Sequence, residues 1–149
     1  MFWPAMHGIN FDEELEKIVA KDRRYTREAY LFVREALDHT QKLIGKPPKD
    51  DAPRHVSGQQ LLNGIREYGL QQYGPMTMAV LNEWGLRCCE DFGEIVFNMV
   101  ENSLLAKTEQ DSRNDFRGGY SFEEAFRKPF VPAHRLTADT KSAELTSDR

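Results

Sequence analysis

The chain is expected to fold as a mainly α single domain of five or six helices with a small β-hairpin, loosely winged-helix-like. Three observations predict this. Apolar residues recur at helical spacing through most of the first hundred positions. Capping residues, glycines and prolines punctuate those runs where helices should start and stop. Finally, Leu104-Leu105-Ala106-Lys107-Thr108 reads as a strand, and Asp115 to Tyr120 as a weaker return. A chain of 149 residues, 40% hydrophobic and 11% aromatic, is large and apolar enough for one core.

Phe11, Leu15, Ile18 and Val19 predict a short amphipathic helix from about Asp12 to Lys21, with Phe2 and Trp3 ahead of it as anchors; residues 1–21 thus form a packing arm and helix. Residues 22–130 form the helical domain with its C-terminal hairpin. Its first helix has Thr26 as N-cap, Tyr25 and Tyr30 at staple positions, and a stripe of Ala29, Tyr30, Val33, Ala36, Leu37 and Ile44 that Gly45 ends. Residues 46–53 hold three prolines and read as a linker. Ser57 and Gln60 then form a capping box, with Val56 and Leu61 at the staple positions, so a helix begins there and buries Leu61, Leu62, Ile65, Tyr68 and Leu70 before stopping near Gly74.

Pro75 suits the first position of the next helix, with Met76, Ala79, Val80 and Trp84 inward and Gly85 as a left-handed terminator. Arg87-Cys88-Cys89 leads into a helix with Phe92, Ile95, Val96, Met99 and Val100 on one stripe, an acidic first turn that suits the helix dipole, and Asn102 as C-cap. After the hairpin, Ser121 and Glu124 make a second capping box that opens a short helix through Phe126. Residues 131–149 are Ser-, Thr-, Ala- and charge-rich, and read as a flexible tail without a core of its own.

No run approaches the roughly 18 apolar residues of a membrane helix, and Met1-Phe2-Trp3-Pro4 lacks the features of a secretory signal, so no membrane partner and a cytoplasmic location are expected. Cys88 and Cys89, adjacent in sequence, fit free thiols in a reducing compartment. The net charge is mild at -4 but unevenly spread. Lys21 to Arg54 carries nine Lys or Arg against six Asp or Glu, net +3, whereas Arg87 to Phe126 carries four against nine, net -5. Charge blocks of this size are ordinarily solvated faces.

No catalytic, cofactor or metal residues are expected from the sequence. His7, His39, His55 and His134 are scattered, and the cysteine pair points apart on a helix. Glu109, Asp111, Asp115 and Glu123 miss calcium-loop spacing, because Arg113 occupies the third position. A cysteine near a helix start gains acidity in favourable cases, and Ser57-Gly58 has an anion-cradle position. The bland readings, a small residue at a helix start and a hydroxyl occupied in capping, outweigh both.

Duplex DNA is the serious alternative, because two closely joined helices, a third helix and a hairpin follow the winged-helix order. DNA docking requires Lys or Arg on the docking face. The helix in the recognition position instead exposes Glu90, Glu94, Asn98 and Glu101, and only Arg87, Lys107, Arg113 and Arg117 oppose them. A second basic face comprises Lys21, Arg23, Arg24 and Arg27. The expected partner is therefore a protein, with nucleic acid disfavoured. Its candidate contacts are Phe2, Trp3, Glu90, Glu94, Asn98, Glu101, Arg113 and Arg117.

The blocks Tyr30-Leu31-Phe32-Val33-Arg34-Glu35-Ala36-Leu37, His55-Val56-Ser57-Gly58-Gln59-Gln60-Leu61-Leu62, Glu90-Asp91-Phe92-Gly93-Glu94-Ile95-Val96-Phe97-Asn98 and Asp111-Ser112-Arg113-Asn114-Asp115-Phe116 together resemble an uncharacterised family of small bacterial proteins from the Planctomycetes and Verrucomicrobia lineages. The resemblance spans roughly Asp22 to Phe126. It implies a bacterial, cytoplasmic origin and supplies no activity, ligand or catalytic residue. It also implies a small hydroxyl residue where Cys88 and Cys89 stand, which weighs against thiol chemistry. The functional expectation is a non-enzymatic interaction module: an adaptor, regulator or accessory subunit.

Overall fold

The computed structural model describes residues 10–44 and 56–131 and, for the backbone alone, Trp3–Pro4. The protein is mainly helical, with five α-helices among the described residues: α1 (Phe11–Lys21), α2 (Arg27–Ile44), α3 (Gly58–Tyr73), α4 (Thr77–Glu83) and α5 (Cys89–Glu101). None of them is long and apolar enough to cross a membrane. The expected linker and tail, and the side chains of Phe2 and Trp3, lie outside the described residues.

Helix α1 starts where Asn10 Oδ1 accepts the Glu13 amide at 3.2 Å, and it buries Leu15 and Ile18. Arg27 ties it to the start of α2 by ion pairs of 3.1 Å to Asp12 and to Glu16. Helix α2 buries Ala29, Tyr30, Phe32, Val33, Ala36, Leu37 and Thr40, whereas Ile44 is 43% exposed. The apolar stripe therefore ends about a turn earlier than its spacing predicts. Thr26 does not cap this helix through its side chain. Among the described residues its hydroxyl is buried without a hydrogen-bond partner, and its amide donates to the Trp84 carbonyl at 3.2 Å.

The capping box of α3 forms as predicted: the Gln60 amide donates to Ser57 Oγ at 3.1 Å, and the Ser57 amide to Gln60 Oε1 at 2.9 Å. The helix stops at Gly74. It lies unusually close to α2, because a Cβ on Gly64 would fall 1.7 Å from Thr40 Oγ1.

The next segment departs from expectation. Gly74–Met76 is a 3-10 turn, α4 begins only at Thr77, and the buried residues are Thr77 and Leu81. Met76 is 60% exposed. The face is rotated because Thr77 Oγ1 serves two carbonyls, Gly69 at 3.0 Å and Gly74 at 2.6 Å, which pulls this polar residue inward. Trp84 does pack on the core, its ring 5.6 Å from Phe32. Gly85 ends the segment at φ +96°, and a Cβ there would lie 2.2 Å from the Arg24 carbonyl oxygen, so only glycine fits both the conformation and the approach.

Helix α5 buries Phe92, Ile95, Val96, Phe97 and Met99. At its end the Leu104 amide donates to the Met99 carbonyl at 2.8 Å, with Ser103 left-handed at φ +64°.

The predicted hairpin is corrected by the structure. Leu105–Ala106 is a strand, but the expected return contains a 3-10 turn over Arg113–Phe116. The strand pairs antiparallel with Trp3–Pro4, Trp3 opposite Ala106 and Pro4 opposite Leu105. Local capping defeats the hairpin. Asp111 Oδ2 accepts the Thr108 amide at 2.9 Å, Asp115 Oδ2 accepts the Ser112 amide at 2.9 Å, and Ser112 Oγ accepts the Asn114 amide at 3.0 Å, so the chain bends twice where a strand would run straight. Phe116 then inserts fully buried beside α5. Further on, Ser121 Oγ accepts the Glu124 amide at 3.1 Å as expected, but the short helix is a π-turn, Glu123–Arg127. Phe122 and Phe126 close the core there, with Phe122 stacked 5.5 Å from Phe92.

Candidate functional site

The outer edge of α5 carries the acidic positions singled out from the sequence, and the fold does not leave them as a bare acidic row. Helical spacing aligns Glu90, Glu94, Asn98 and Glu101 along one side. The turn between α1 and α2 and the 3-10 turn of Arg113 then close over its middle.

Asp22 and Arg24, in the turn before α2, form a two-point pair: Arg24 Nε donates to Asp22 Oδ1 at 2.9 Å and its Nη2 to Oδ2 at 2.6 Å. The same guanidinium reaches Glu94 Oε1 at 3.2 Å. Arg113 approaches Glu94 from the other side, Nε to Oε2 at 3.4 Å, and extends Nη2 to Glu101 Oε2 at 3.5 Å. Its guanidinium lies over the Phe97 ring, 5.0 Å from the centroid. Asp22, Arg24, Glu94, Arg113 and Glu101 thus alternate in sign across three segments of the chain.

Beneath this row sits a half-buried polar layer. Asn98 Nδ2 donates to Asp22 Oδ2 and lies within hydrogen-bond distance of the Tyr30 hydroxyl, both at 3.0 Å. Tyr25 donates to Asp91 Oδ1 at 2.7 Å, while Asp91 Oδ2 accepts the Arg87 amide at 2.8 Å at the start of α5. The hydrogen bond from Arg24, followed by that from Asn98, holds the Asp22 carboxyl well below the usual carboxylate range against the opposing effect of burial. Burial, then the bond to Asp91, raises the Tyr25 hydroxyl above the ordinary tyrosine value, and burial raises Tyr30.

Of the residues predicted as partner contacts, the fold brings Glu94, Asn98, Glu101 and Arg113 into one network. Glu90 and Arg117 are exposed beyond it. Phe2 and the Trp3 side chain lie outside the described residues. Asp22, Tyr25, Tyr30 and Asp91 are not among the site residues the sequence singles out, and Arg24 is singled out there only as part of a separate basic face. The available signal was Asp22 and Arg24 flanking a short break between two amphipathic runs, but nothing local says which helix they reach.

The thiols are tuned away from reactivity. Cys89 is buried, donates to the Tyr120 carbonyl at 3.3 Å, and is pushed up to about 12, chiefly by burial. Burial likewise raises Cys88. A groove between α2 and α3 gathers Glu35, Asp38, His39 and Lys42 from α2 and Tyr68 from α3. Its groups are paired with neighbours: Tyr68 donates to Glu35 at 3.0 Å, His39 Nε2 lies 3.4 Å from Glu67, and Lys42 lies 3.1 Å from Asp38. Among the described residues, no group of three or more His, Cys, Asp or Glu is arranged to hold a metal ion. Comparison with protein-family models, with curated proteins and with solved structures finds no match to this chain.

Proposed function

We propose that the protein is a non-enzymatic interaction module, an adaptor, regulator or accessory subunit, that binds a protein partner through the outer edge of α5. The observation that carries this reading is Glu94 held between Arg24 and Arg113. Long charged side chains ordinarily lose rotamer entropy when a partner fixes them. Here the ion pairs and the Asn98 bonds fix much of that edge in advance, while Glu90, Glu101 and Arg117 stay exposed around it. A rigid surface of alternating charge favours a specific partner over general adhesion, because misplaced like charges repel. The blocks that resemble the Planctomycetes and Verrucomicrobia family supply Glu94, Asn98 and Arg113, so we expect proteins bearing the same blocks to share the edge.

The nucleic-acid reading has less support. It relies on Lys107, Arg113 and Arg117, and Arg113 is already engaged by Glu94 and Glu101. A cytoplasmic location remains part of the proposal.

The test compares the wild type with a Glu90→Lys/Glu101→Lys variant in affinity capture from the native bacterial lysate, read by mass spectrometry, after thermal melts show both proteins folded. Loss of one reproducible protein on charge reversal is the expected outcome. An unchanged set of captured proteins would sink the assignment of this edge. Salt-sensitive binding to duplex DNA, weakened by Lys107→Glu and Arg117→Glu, would shift the reading to nucleic acid.

A further inference from the structure

We draw no further inference here: the strongest candidate, the shallow groove between the end of α2 and the first half of α3 beside the exposed Leu43 and Ile44, carries none because nothing in the structure shows what covers it.

Discussion

At the seam between α2 and α3, Thr40 occupies the space a side chain on Gly64 would need, and Phe32 packs 5.6 Å from Tyr68 and from Trp84. At the outer edge of α5, the joining groups are Asp22, Arg24, Asn98, Glu94 and Arg113, which meet through hydrogen bonds and ion pairs beside solvent. The seam depends on volume and the edge on direction. A seam of this kind tolerates almost no added atom, since a packed interior cannot expand locally without displacing its neighbours. An edge of this kind tolerates changes of size but not the loss of a donor whose acceptor stays half-buried.

The largest expected effect tests the seam. Gly64→Ala should destabilise the fold by about 3 kcal/mol, the upper part of the overpacking range. Thr40→Ala in the same chain should recover part of that loss, because it removes the Oγ1 at 1.7 Å and the Cγ2 at 3.1 Å, while the Cβ of residue 40 stays 2.8 Å from the added methyl group. Denaturant titration of the single and double variants measures the coupling. Strictly additive losses would mean that the helices separate rather than clash at Thr40.

Next in size is the polar layer under the edge. Asn98→Ala removes a donor to Asp22 and a neighbour of the Tyr30 hydroxyl, and should destabilise the protein by about 1–2 kcal/mol. Tyr30→Phe combined with it should show non-additivity, since the two side chains meet at 3.0 Å. A loss below 0.5 kcal/mol would demote the layer to solvent-satisfied decoration.

A pH series sharpens the same contrast. The folded-state pKa of Asp22 is depressed, chiefly by Arg24, so its stabilisation is complete above the unfolded carboxylate value of about 3.9. That stabilisation is lost as pH falls through the lower folded value. Denaturation midpoints for the wild type and Asp22→Asn should therefore differ by a constant amount from pH 7 to about pH 5, and the gap should narrow progressively as pH falls below about 4. A gap that stays constant to the lowest pH would contradict the pairing with Arg24.

The smallest effect on stability belongs to the rim. Glu101 is 61% exposed and 3.5 Å from Arg113, so Glu101→Ala should change stability by less than about 0.5 kcal/mol, and less still in high salt. Its contribution should appear in partner capture instead. A thermal shift of several degrees for this variant would make the rim structural and weaken the binding proposal.

How far each region was legible follows from the same difference. The capping box of Ser57 and Gln60, the α5 stripe and the Gly85 terminator were readable because each signal lies within a few residues along the chain. The face of α4 was misread because Thr77 turns inward to bond Gly69, a carbonyl in the preceding helix. The hairpin was misread for a local reason. Ser112 and Asp115 form a capping box, a signal within four residues that opens a 3-10 turn where the strand reading needs extended chain. The acidic edge was legible in composition alone; its neutralisation by Arg24, 70 positions from Glu94, was not.

By itself the sequence determined that this is a mainly helical chain, where most of its helices begin and end, and which apolar stripe of α5 is buried, because helix periodicity and capping are local physics. Only the tertiary structure decided what the polar residues mean. A charge does not specify its partner, and whether Glu94 faces open solvent or sits between two arginines depends on turns that pack against α5 from distant parts of the chain.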